Sequence, residues 1–222
     1  MGRRTNKLSA GISLVLVCTA ALAASAANTA AGERKLAYGY APQQATYAAV
    51  GTTTRAPIGW IEFCVEHRSE CRVHRSAARD IVFTPKVWAD MVKVNTWVND
   101  TIKPVTDLEH WGLVERWSYP DDGYGDCEDY VLLKRRMLIK AGWPRSALLI
   151  TVVRDKKGDG HAVLTVKTNH GEFVLDNQEA KVLPWSRTGY RFVKRQSQED
   201  PNRWVALGNP LAAPATVSAR RR

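Results

Sequence analysis

Midway along this chain the hydrophobic period changes, and that change decides the fold class. Between residues 86 and 102, Val87, Met91, Val94, Val98 and Ile102 recur every three or four positions. That spacing predicts an amphipathic helix, with Pro104 just past its end. A second helix is expected over 127–141, with Tyr130, Leu133, Met137 and Leu138 as its buried stripe and Gly142 and Pro144 as stops. The period then becomes that of strands. Residues 147–153 are a continuous apolar run, 161–168 alternate, 171–176 follow across Asn169-His170, and 190–194 supply a fourth strand. Helices first and antiparallel strands afterwards describe an α+β domain, its N-terminal helices packed on an antiparallel sheet.

The N-terminus is set apart from that domain. Arg3, Arg4 and Lys7 precede the apolar run 12–22 and the small-residue stretch 23–27. A basic head, a short apolar middle and an Ala-x-Ala-like end predict a secretory signal peptide over 1–27, since the run is short for a membrane span. The mature protein is therefore expected in the periplasm or secreted, with no stable membrane insertion. Residues 28–56 read as a loose lead-in, 57–208 as the folded domain and 209–222 as a fraying basic tail. Loss of the three cationic residues of the signal lowers the formal charge from +10 to about +7. Apart from Arg220-Arg221-Arg222 the basic residues are scattered with no aromatic interleaving, so nucleic acid is not an expected partner.

Cysteine usage sharpens the picture. In an oxidising compartment Cys64 and Cys71 are expected to be bridged, closing a small loop worth about 2.5 kcal/mol. Cys127 is then the odd thiol of an exported chain. It sits in Gly125-Asp126-Cys127-Glu128-Asp129-Tyr130, between a turn and a helix start, with Asp126 as N-cap and Asp129 as a capping-box-like carboxylate. Backbone N–H groups at a helix N-terminus favour thiolate and can hold an oxyanion.

Two further residues complete a nucleophile, base and orienter. If Asn169 and His170 form a two-residue hairpin turn, Thr168 faces Gly171, and Asp176 faces Val163. Asp176 and His161 then share one face as diagonal neighbours, close enough for the carboxylate to fix the imidazole tautomer. A slip of one residue would separate them. Asp126, Glu128 and Asp129 oppose a thiolate: at ~6 Å and an effective dielectric near 20, each contributes roughly 2–3 kcal/mol, more than the helix dipole returns. Three readings stay open: solvated capping, charged His161 as counterion, or a hard cation with oxygen ligands such as calcium. Zinc lacks a ligand cluster, and no organic cofactor is expected.

These residues resemble the bacterial transglutaminase-like cysteine proteinases. The likeness runs through Val94-Asn95, Val98-Asn99, Trp111-Gly112, Trp117 with Pro120 and the Gly125–Tyr130 block. It continues through Lys134, Gly142, His161-Ala162-Val163-Leu164, Val174-Leu175-Asp176-Asn177 and Pro184-Trp185, covering about 58–195. It implies a papain-like, transglutaminase-like fold and a peptidase with Cys127 as nucleophile, His161 as base and Asp176 as orienter. The best-known branch is a periplasmic, calcium-using protease that clips a surface adhesin and is held inactive by an inner-membrane receptor. That resemblance assigns Asp126 and Glu128 to calcium. Transglutaminase-type acyl transfer, or a non-catalytic binding or scaffold role on the same fold, are the alternatives.

Overall fold

A computed structural model describes residues 47–73 and 77–208. The signal peptide expected over 1–27, most of the lead-in, His74 and the tail 209–222 lie outside the described residues. In chain order the elements begin with β1 (Val50–Thr54), α1 (Ile58–Glu66), α2 (Pro85–Thr101), β2 (Lys103–Pro104), α3 (Asp107–Trp111) and β3 (Tyr124–Gly125). Then follow α4 (Cys127–Lys140), β4 (Leu148–Arg154), β5 (Gly160–Thr168), β6 (Gly171–Leu175), β7 (Leu183–Pro184), β8 (Arg191–Gln196) and β9 (Trp204–Leu207). The class is α+β, as expected, with helices packed on an antiparallel sheet whose strands, β1 apart, follow them.

Seven strands form that sheet in the order β1-β9-β8-β4-β5-β6-β7, every neighbouring pair antiparallel. The central strands are covered on both faces, which is why 147–153 reads as an unbroken apolar run. On one face Ile150, Val152, Ala162, Leu164, Val166 and Phe173 join Val131, Leu132 and Leu138 of α4 in the main core. On the other, Val153, Val163, Val174 and Phe192 form a second cluster with Trp185 and Tyr190 against it. Each fully buried Leu, Ile or Phe contributes about 2 kcal/mol. Their sum clamps α4 against β5, so the Cys127 end of the helix is held in one place.

Local chemistry sets the boundaries. Thr84 caps α2, its hydroxyl accepting from Val87 N at 3.1 Å, and Pro85 occupies the first turn, where its missing N–H costs nothing. After α4 the chain turns through Gly142 at φ 88°, the left-handed region that glycine enters without strain. Between β5 and β6, Thr168 pairs with Gly171 and Leu164 with Leu175, the register expected from a two-residue turn at Asn169-His170.

Three segments differ from the sequence expectation. Residues 50–54 are an edge strand rather than part of a loose lead-in; all five are exposed, so no alternation marks them. Cys64 lies within helix α1, and Cys71 just beyond it; the expected bridge between them is present, with Cα atoms 5.7 Å apart. Residues 107–111, for which the sequence predicted no element, form α3, opened by Thr106, whose hydroxyl accepts from Glu109 N and donates to Glu109 Oε2. None of the helices among the described residues is long and apolar enough to cross a membrane.

Candidate active site

His161 is the second residue of β5 and Asp176 follows the last residue of β6. Val163 and Val174, two positions from each, belong to the same buried cluster, so the hairpin register puts ring and carboxylate on a common face. His161 Nε2 lies 2.7 Å from Asp176 Oδ1. Asp176 Oδ1 also accepts from Gln178 N at 2.9 Å, and Tyr190 Oη donates to Asp176 Oδ2 at 2.6 Å. Burial alone would raise the Asp176 pKa, but the bonds and charge of His161, with Tyr190 and Gln178 behind them, bring it below the ordinary value. Tyr190 is raised in turn, by burial and by the carboxylate it serves.

The backbone around Asp176 is fixed from the helical layer. Asn95 Oδ1 accepts from Asp176 N at 3.0 Å, Asn95 Nδ2 donates to Ala180 O at 3.2 Å, and Asn99 Nδ2 donates to Asp176 O at 2.8 Å. The two asparagines, four apart on α2, thus tether the segment that carries the carboxylate. With Nε2–H given to Asp176, the imidazole keeps its lone pair on Nδ1, and Gln178 Nε2 lies 3.3 Å from it. Lys134 of α4 is wholly buried, with no hydrogen-bond partner for its Nζ among the described residues. Burial lowers its pKa to about 7, against the opposing pull of Asp176.

Cys127 occupies the first turn of α4 and is 1% exposed. The backbone N–H of Ala162, the residue after His161, favours its thiolate form. Its side-chain hydrogen bond goes to Glu128 Oε2 at 3.1 Å and not to the imidazole. Burial raises the thiol pKa well above its usual value, and the Asp126 carboxylate adds to that. As described, the thiol is protonated and held by an acid.

The acids near Cys127 do not point away from it. Asp126 stands at the N-cap position of α4 but its side chain makes no capping bond. Asp129 Oδ1 accepts from Ser118 N at 2.7 Å, and the backbone N–H of Asp126 also favours the Asp129 carboxylate. Asp107 joins them from α3, so that one oxygen from each of Asp107, Asp126 and Asp129 lies within 4.8 Å of the others, as do ligand atoms of Asp126, Cys127 and Glu128. Gly125 makes room for this: a Cβ there would stand 2.7 Å from Asp129 Oδ2. Both oxygens of Asp126, Oε1 of Glu128 and Oδ2 of Asp129 are buried and face no donor. Asp126 and Glu128 can bond each other only when one keeps a proton, and burial drives them that way. The pKa of Asp126 rises to about 7 through burial, then the Asp107 and Glu115 charges; that of Asp129 rises to about 9 through burial, then Asp126. Glu128 is pushed far up by burial, then Cys127 and Asp126.

At such separations and an effective dielectric near 20, two carboxylates repel by about 3 kcal/mol. The cluster needs protons or a cation. Its donors are hard oxygens with no histidine among them, the set that suits calcium and not zinc. Sequence reasoning found Asp126 and Glu128 but missed Asp107, whose signal was the Thr106–Glu109 capping box that marks α3. It also missed Gln178 and Tyr190, which no motif distinguishes.

Residues 50–211 match the model of the family described as bacterial transglutaminase-like cysteine proteinase. The chain belongs to that family, and it is a cysteine peptidase with the α+β, papain-like architecture the family implies. Solved structures of LapG from Legionella pneumophila are similar to it. One is 29% identical with a TM-score of 0.46, covering 56% of this chain and 70% of that one. A calcium-bound LapG is 22% identical with a TM-score of 0.47, covering 83% and 92%. An EGTA-treated LapG is 24% identical with a TM-score of 0.45, covering 58% and 71%. No curated protein sequence matches this chain.

Proposed function

We propose that this protein hydrolyses a peptide bond of an exported protein through a Cys127–His161–Asp176 triad and a thioester on Cys127. The observation that carries the reading is the fully buried His161–Asp176 pair, 2.7 Å apart, together with the free thiol of Cys127 at the start of α4, the helix packed on β5. Asp176 holds the tautomer with the proton on Nε2, leaving Nδ1 as the base. Nδ1 takes the thiol proton once the Gln178 amide gives way. Sulfur attacks the scissile carbonyl, and the Cys127 backbone N–H, free at the start of α4, faces the oxyanion. The imidazolium then returns its proton to the leaving amine, and water, deprotonated at Nδ1, cleaves the thioester.

Asp107, Asp126, Glu128 and Asp129 are the residues that would hold a calcium ion; its chemistry there is charge neutralisation beside the thiol. An Asp126 carboxylate committed to a cation no longer raises the thiol pKa. Export through residues 1–27 agrees with the Cys64–Cys71 bridge, which persists in oxidising compartments. A surface adhesin as substrate and a membrane receptor as regulator belong to this proposal as its outermost part.

The test is to compare secretomes of cells carrying wild-type protein and Cys127→Ala, searching for a new protein terminus. We expect one that depends on Cys127, and a purified variant at least about 10⁴-fold less active yet equally folded. Cleavage at the wild-type rate by Cys127→Ala would refute the mechanism.

A further inference from the structure

A cavity of about 250 Å³ lies away from the reacting groups. In the β4–β5 ladder Val153 faces His161 whereas Leu149, which lines this cavity, faces Thr165. Four residues of strand, about 13 Å, separate the two rungs. The cavity opens between the end of α4, the turn Arg145–Ala147 and the segment after β8.

Arg79, Arg135 and Arg145 all reach it. Two of them share one carboxylate: Glu70, from the disulfide loop, accepts from Arg135 Nη1 at 3.2 Å and from Arg145 Nη1 and Nη2 at 2.6 and 3.4 Å. Arg135 is buried, and its pKa falls to about 10 through burial and then the Arg145 charge. Glu199, the acid in the wall itself, is paired with Arg203. Arg79 is exposed and its guanidinium meets no acid among the described residues. Three guanidiniums against one shared carboxylate leave two positive charges facing about 250 Å³, room for roughly eight waters.

The neutral polar groups are already committed. Ser146 Oγ bonds the backbone of Arg79, Gln196 bonds Ile150 N and Pro201 O, and Gln198 bonds Asp80 and Lys167. What remains for a ligand is guanidinium on one side and the apolar surface of Pro144, Leu149 and Pro201 on the other. Guanidinium forks match carboxylates, as Glu70 demonstrates in place, and the apolar wall suits a short aliphatic stem that bare phosphate lacks.

We propose that this cavity binds a carboxylate on a short aliphatic stem, the chemistry shared by an acidic peptide side chain and a free dicarboxylate. Arg79 and Arg145 grip the carboxylate, and Leu149 and Pro144 cover the stem. The site is separate from the reacting groups, and its occupancy is read independently of cleavage.

Calorimetric titration of the calcium-supplemented protein with glutarate, a short glutamate-bearing peptide and inorganic phosphate tests it. We expect one site for glutarate or peptide, a raised melting temperature, and affinity at least about tenfold lower in Arg79→Glu, with Arg79→Gln intermediate. Unliganded stability and cleavage should not change in either variant. Tighter binding of the peptide assigns a polypeptide source, and tighter binding of glutarate a small metabolite. No binding of either, equal affinity in Arg79→Glu, or phosphate binding more tightly than both would overturn the proposal.

Discussion

The two halves of the candidate active site are built on opposite electrostatic terms. On the sheet side, His161 and Asp176 are buried and the polar atoms of both side chains have partners: Gln178 and Asp176 on the ring, Tyr190 and Gln178 on the carboxylate, with Asn95 and Asn99 on its backbone. On the helix side, Asp107, Asp126, Glu128 and Asp129 are just as buried, yet four of their oxygens face no donor. Equal burial therefore has opposite consequences. For Asp176 the partners overcome burial and bring the pKa below its ordinary value; left uncompensated, burial raises those of Asp126 and Asp129 to about 7 and about 9. The proposed base is held by partners within the fold, whereas the proposed nucleophile lies beside acids that lack them.

The strongest way to break this contrast is Asp176→Asn, which removes the charge that fixes the imidazole. Loss of kcat/KM on the order of 10²–10⁴-fold is expected, with Cys127 still in place. A loss below tenfold would mean the sheet side is scaffolding.

Asp107→Asn acts on the other half, and its two readouts should move in opposite directions. Without calcium the variant should melt higher than wild type, because one repelling carboxylate is gone. Calcium should then bind at least about tenfold more weakly and raise the melting temperature less. If a chelator leaves the wild-type melting curve and activity unchanged, calcium has no place in the account.

Lys134 probes the border between the halves with a smaller effect. Between pH about 7 and 10.5 the unfolded chain holds a proton on this lysine that the folded protein has released, so wild-type stability rises with pH across that window. Lys134→Met removes the cost. It should stabilise by about 1–3 kcal/mol near pH 6, raising the melting temperature by ~3–8 °C, with the advantage gone above the window. A destabilised variant at pH 6 would show that the ammonium is needed where it is.

Legibility in the sequence followed the same divide. Helices α2 and α4 showed because their apolar residues keep a helical period, and the β5–β6 register showed because Asn169-His170 admits only a short turn. That register was enough to pair His161 with Asp176. Helix α1 was hidden because Trp60, Phe63 and Val65 do not trace one face, Val65 being exposed. Strand β1 was hidden because neither of its faces is buried. Asp126 and Glu128 were readable as neighbours of Cys127. Asp107 was not, since nineteen residues and a helix boundary separate it from Asp126. Nor did the pattern distinguish Lys134 from a surface lysine, because its burial arises from contact between two helices and a strand end.

Alkylation of Cys127 by iodoacetamide at neutral pH, followed by mass spectrometry with and without calcium, tests the central claim without any substrate. The account expects rapid labelling with calcium, slow labelling in a chelator, and loss of the fast reaction in His161→Ala. A thiol inert under both conditions, or one that labels as fast without His161, would contradict it.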